Sequence, residues 1–196
     1  MHESRRGRAT ARTARIGNLL GAAALTVSDR MTRAAADATG ASISGTAALV
    51  TLLTSPGIGV TLLGTRIGLS QPACARMLDQ LQARDLVTRR REGGRLAAVE
   101  LTEAGRAAAR AALSARQQEL AALVDGIGDR DRAGLAAGLE VLLGLLHDEV
   151  GSEYVVCRLC DRPACVRGGE RCPVGAAARA RARAAPDGAD TSGSDG

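Results

Sequence analysis

Four cysteines stand within 16 residues of one another: Cys157, Cys160, Cys165 and Cys172, in the spacing C-x2-C-x4-C-x6-C. The fifth cysteine, Cys74, lies far from them in sequence. Four soft donors are the number that tetrahedral zinc or an iron–sulfur cluster takes. The Cys157/Cys160 pair forms a two-ligand turn, and Gly168-Gly169 leaves the chain free to bring Cys172 back. Arg158, Arg162, Arg167 and Arg171 are interleaved with them. Guanidinium groups offset the negative charge of thiolates and favour their formation. Zinc is the leading expectation, an iron–sulfur cluster is possible, and thiol/disulfide switching is a third use of the same residues. Free thiols in a loose tail are the bland alternative.

The rest of the chain must position this segment. With 196 residues, it is long enough for one moderate domain plus appendages. Tyr154 is its single aromatic residue, so Leu, Ala, Val and Ile must fill the core. Such a composition favours helices. The net charge is +5, and all 26 Lys or Arg positions are Arg. A basic chain of this kind favours anionic partners, and guanidinium suits phosphate and guanine. No secretory leader and no apolar run of membrane-spanning length is visible, so a cytoplasmic protein without a membrane partner is expected.

Residues 1–14, with Arg5, Arg6, Arg8 and Arg12, read as a flexible basic arm. Apolar residues at helical spacing from Ile16 to Ala38 predict a long first helix that ends near Gly40. Ser42 or Ser44 caps a second helix through Leu53, and Ser55-Pro56-Gly57 stops it. A short helix over Gly59–Ile67 ends at Gly68. Ser70 then caps a helix over Gln71–Arg84 that has Pro72 in its first turn. Runs at Leu86–Arg91 and Leu96–Leu101 flank Gly93-Gly94 and predict a hairpin. Thr102 caps a helix over Glu103–Val124, and Asp129 starts another that carries Leu135, Leu139, Leu142, Leu146 and Val150. Residues 151–175 form the cysteine segment, and the Ala/Arg/Gly/Asp/Ser stretch 176–196 reads as a disordered tail.

Helix, glycine turn, helix and hairpin in this order predict a mainly α (α+β) winged helix-turn-helix. Its DNA-binding core spans about 42–101, within a domain over 15–150. The second helix of such a motif enters the major groove with its N-terminal residues on base edges. Those residues are Ser70, Gln71, Pro72 and, one turn on, Arg76. Gln pairs with adenine, and Arg with guanine or a phosphate. Arg89, Arg90, Arg91 and Arg95 crowd the hairpin, where they suit phosphates or the minor groove. Taken singly, each of these residues also suits a plain solvated face.

The stretch LSQPACARMLDQLQARDLVTRRREGGRLAAVELTEAGRAAA, Leu69 to Ala109, resembles the recognition helix, wing and following helix of the MarR family of transcriptional regulators. A weaker resemblance extends over about residues 15–150. The chain departs from the family pattern at Gly93, where the wing usually carries an Asp two residues before its tip arginine, here Arg95. The resemblance implies a homodimer built by long terminal helices at about 15–38, 103–125 and 129–150. It implies a repressor on double-stranded DNA, with a small-molecule effector possible between the dimerising and DNA-binding parts. Those helices also suit an ordinary intramolecular core.

Other classes fit less well. A zinc-knuckle-like nucleic-acid module wants a His ligand and stacking aromatics near its cysteines, and only Tyr154 is near. A thiol-redox protein wants its C-x-x-C beside a βαβ unit. No Ser/His/Asp set, phosphate loop or catalytic carboxylate pair is present, so an enzyme is not expected. The position of the cysteine segment predicts that bound metal braces the last long helix.

Overall fold

The computed structural model describes the backbone of residues 2–92 and 95–184, with side chains described outside 2–9, 91–92 and 95–97. Helix α1 runs His2–Thr39, α2 Ile43–Thr54, α3 Val60–Ile67 and α4 Gln71–Ala83. Strands β1 (Val87–Glu92) and β2 (Arg95–Leu101) follow, then α5 (Glu103–Asp125) and α6 (Asp129–Val150). Short helices α7 (Glu153–Val156) and α8 (Arg162–Cys165), a 3-10 turn at Arg167–Gly169, and α9 (Pro173–Ala184) complete the described chain. The expected fold class holds: among the described residues, a helical molecule with one two-stranded antiparallel sheet.

Helix α2 is the centre. Every residue from Gly45 to Leu52 is buried, as suits a helix that is apolar all round. Ser42 caps it by accepting the Gly45 N–H at 3.1 Å. Around α2 pack Ala35 of α1, Leu63 and Ile67 of α3, and Cys74, Met77, Leu78 and Leu81 of α4. Val87 and Val99 of the hairpin and Ala109 and Ala112 of α5 close the same core. Helix α1 lies along α5, pinned at the surface by Arg30 and Glu119 at 2.8 Å.

The hairpin pairs Val87 with Leu101 and Arg89 with Val99, and its register shifts between Arg90 and Arg91. The loop after α2 adds a third short partner. Val99 N–H donates to Ile58 O, and Gly57 N–H donates to Val99 O. The turn at Gly93-Gly94 lies outside the described residues.

Two boundaries differ from expectation. The arm at 1–14 belongs to α1, which begins at His2. Arg and Ala are among the strongest helix formers, so the basic composition extends the helix rather than loosening it. The side chains of Arg5, Arg6 and Arg8 lie outside the described residues. The tail expected to be disordered from 176 is helical to Ala184 in α9. That Ala/Arg repeat has high helix propensity and finds α6 to pack on. Residues 185–196 lie outside the described residues.

Thr102 secures the start of α5. Its hydroxyl accepts the Gly105 N–H at 2.9 Å and donates to Asp85 O at 2.6 Å. Gly105 sits against the Leu86 carbonyl so closely that a Cβ there would overlap it. Gly105→Ala should therefore destabilise the fold by about 2–3 kcal/mol, because backbone on both sides must move. The midpoint of urea unfolding, read by far-ultraviolet circular dichroism, measures this.

Candidate nucleic-acid interface and thiol cluster

The helix-turn-helix is α3, the turn Gly68–Ser70, and α4. Gly68 adopts φ +73°, a left-handed conformation that glycine takes without strain. Leu69 N–H folds back to Gly64 O at 2.8 Å. Gly64 lets the helices approach: a Cβ there would stand 2.9 Å from Leu69 O and 3.4 Å from the Cys74 Cβ. Cys74 is fully buried, and its Sγ lies 3.5 Å from Val60 O. Burial pushes its thiol pKa up, opposed by the charge of Arg89. This cysteine is a packing residue of the helix pair.

Cys74, Met77, Leu78 and Leu81 turn inward from α4. Ser70, Gln71, Pro72 and Arg76 are exposed together at its N-terminal end. Ser70 occupies the N-cap position without a side-chain cap bond. At the other end of α4, Arg84 donates to Gly40 O at 2.8 Å and to Thr39 O at 2.9 Å, tying this helix to the end of α1.

The hairpin arginines are not equivalent. Arg89 lies on the same strand face as Val87 and is drawn against α4, where it donates to Asp79 Oδ1 at 2.6 Å and to Ala75 O at 3.3 Å. Its side chain is only 16% exposed. Expected as a DNA contact, Arg89 is engaged here as a brace between the hairpin and α4. Two-residue alternation along β1 turned it inward, and Asp79 met it there. Arg90, on the opposite face, is exposed. The side chains of Arg91 and Arg95 lie outside the described residues.

The cysteine segment docks on the domain. Leu159 is 7% exposed and joins the main core, and Val174 is 2% exposed. Cys157, Cys160, Cys165 and Cys172 all line one cavity of about 650 Å³. Its walls also include Met31 of α1, Ile43 and Ala47 of α2, Arg116 of α5 and Leu143 of α6. Asp161 caps α8. The Sγ of Cys172 accepts the Gly175 N–H at 3.3 Å, a sulfur in the N-cap position of α9.

The thiols are unequal. Cys160 hands its proton toward Cys157, which lowers the Cys157 pKa against opposition from burial. The same bond raises that of Cys160, and burial adds to it. Burial also raises Cys165, as do the neighbouring sulfurs of Cys160 and Cys172. The charge of Arg116 lowers all three. Among the described residues, no group of three or more His, Cys, Asp or Glu side chains is set to hold a metal ion. The sulfurs share a cavity without forming a closed cage. Also among the described residues, no helix is long and apolar enough to cross a membrane.

The roles of Leu159, Val174 and Arg116 were not singled out from sequence. Leu159 lies inside the cysteine run and reads there as a spacer. Arg116 reads as one more arginine on a helix face.

A thiolate reacts with alkylating reagents and a thiol does not. Lowered pKa means Cys157 exposes thiolate at lower pH than Cys165. Iodoacetamide should therefore label Cys157 first as pH rises from 6 to about 9, with Cys165 following and Cys74 protected until unfolding. Peptide mass spectrometry gives the order.

The MarR family model matches residues 42–93, which cover α2, α3, α4 and β1. Among curated proteins no sequence matches the chain. Solved structures share the fold. RV1404 from Mycobacterium tuberculosis is 25% identical, with a TM-score of 0.58 over 65% of this chain and 89% of its own. YusO from Bacillus subtilis is 18% identical, with a TM-score of 0.60 over 68% of this chain and 96% of its own. The MarR family protein Rv2887 of Mycobacterium tuberculosis, solved in complex with DNA, is 21% identical with a TM-score of 0.53 over 64% and 95%. Rv2887 has also been solved with salicylic acid.

Proposed function

We propose that this chain, which matches the MarR family model over residues 42–93 and shares its fold with RV1404, is a transcription regulator of that kind: a cytoplasmic homodimeric repressor whose four-cysteine segment is a metal-responsive sensor. One observation carries the DNA-binding part: Gln71, Pro72 and Arg76 stand exposed at the N-terminal end of a helix whose other face is fixed in the core. Gln71 reads adenine and Arg76 reads guanine or holds a phosphate. Ser70 and Arg90 add backbone contacts that set the register, and Arg91 and Arg95 extend them along the wing.

Dimerisation is supported by the faces left open. Ile16, Leu19, Leu20 and Leu25 of α1 are at least 44% exposed, as are Leu139, Val141, Leu145 and Val150 of α6. Apolar faces of that extent mark an association surface. A two-fold dimer presents two α4 helices to half-sites about one helical turn apart. The cavity of about 650 Å³ is large enough for a small-molecule effector.

The donor chemistry of Cys157, Cys160, Cys165 and Cys172 fits a soft metal, zinc first, and a lowered Cys157 pKa favours the ligating thiolate. Zinc held by Cys157, Cys160, Cys165 and Cys172 would neutralise thiolate charge and tie the segment together. The chain's own residues bring the donors to one cavity, with Leu159 and Val174 as anchors.

Selection from a random duplex library, followed by titration, tests the DNA reading. A pseudo-palindromic site should emerge, and Arg76→Ala should weaken it by about tenfold, the scale of one base contact. A protein that enriches no duplex would remove the proposal. Metal analysis after anaerobic purification tests the cysteines: one zinc per chain, lost in Cys160→Ser, is expected. Iron with sulfide would make the centre an iron–sulfur cluster, and absence of metal would leave a thiol switch.

A further inference from the structure

Tyr154 is the single aromatic residue of the chain. The guanidinium of Arg66 lies over its ring, 3.8 Å from the centroid. Arg66 is in the last turn of α3, just before the Gly68 turn that launches α4. Its Nε and Nη1 are buried without a hydrogen-bond partner. The ring face is therefore a favourable contact for these buried nitrogens.

Tyr154 belongs to α7, and α7 packs on α3. Cys157 closes the same turn, its N–H donating to Glu153 O at 2.9 Å. The Ser152 hydroxyl accepts the Val155 N–H at 3.5 Å and caps the turn. A second cleft, of about 310 Å³, places Tyr154, Cys157, Cys160 and Cys172 beside Val50 and Thr54 of α2. One short, hydrogen-bonded turn thus carries both the first thiol of the cluster and the ring that lies under Arg66 of α3.

We propose that Tyr154 is a positioning residue that transmits the state of the thiol cluster to α3, and through the Gly68 turn to α4. This deepens the reading of the cysteines as a sensor and rests on it. The route differs from the one expected from sequence, in which the last long helix carries the signal. Any group bound at Cys157 displaces the 153–157 turn and with it the ring beneath Arg66. Arg66 then changes partner, and the end of α3 loosens or tightens.

Hydrogen exchange on the full-length chain tests this without DNA. Amides of α3 and of the Gly68–Ser70 turn are followed in three forms: reduced and metal-free, zinc-loaded, and alkylated at Cys157 with iodoacetamide. Wild type and Tyr154→Phe, which keeps the ring, should change exchange in α3 by about threefold or more between forms. Tyr154→Leu should show less than about a twofold change. Arg66→Gln, which removes the cation and leaves the ring, should match Tyr154→Leu, and it serves if the leucine variant fails to fold. The proposal is overturned if Tyr154→Leu or Arg66→Gln responds as wild type does. It is equally overturned if α3 of the wild type ignores alkylation at Cys157. Failure of zinc to bind removes the metal reading alone, because the alkylated form still interrogates the coupling.

Discussion

Every other element takes its position from the burial of α2 on all sides. Its Gly45-Thr46-Ala47-Ala48 run is small, and a Cβ on Gly45 would stand 3.4 Å from Leu81 of α4, while Leu49, Val50 and Leu52 are buried in the shared core. A core without Phe or Trp has no large ring to bridge gaps, so close approach of backbones substitutes for side-chain bulk. The same device recurs where Gly64 meets Leu69 and Cys74, and where Gly105 meets Leu86. Rigidity in α4 follows from this: its inner residues interlock with α2 and α3, and only its outer face is left free.

Much of this was legible in the residues. Ser70 with Pro72 located the start of α4, Thr102 located the start of α5, and Asp129 that of α6, each observed where predicted. Those signals are local, since a cap or a proline acts on its own turn. The exposed set at the start of α4 was legible for the same reason, because exposure at a helix N-terminus follows from helical phase. Arg89 was not legible. Its fate depends on Asp79, ten residues away across a strand-to-helix contact, and a cluster of arginines in sequence carries no record of which one turns inward. The N-terminal arm and the 176–184 stretch failed in a different way. Polar composition suggested disorder, whereas Arg and Ala propensity with a packing partner gave helix.

The cysteine segment lies between these cases. Spacing showed that four thiols could meet, and they do share one cavity. It did not show that Leu159 enters the main core or that Val174 is buried. Nor did it show that Tyr154 reaches back to Arg66. The oddity of a lone aromatic was the available sign. The segment therefore packs on α3 and α6 and shares its cavity with residues of α1, α2 and α5.

The Arg89–Asp79 pair also changes how the charge of this molecule is counted. A formal charge of +5 with several arginines on one hairpin invites the view that each releases a counterion when a duplex docks. The Arg89 guanidinium is already paired with a carboxylate of its own chain at 2.6 Å, so its charge is offset within the protein. Part of the basic character of the hairpin is thus used inside the protein, where it holds β1 against α4.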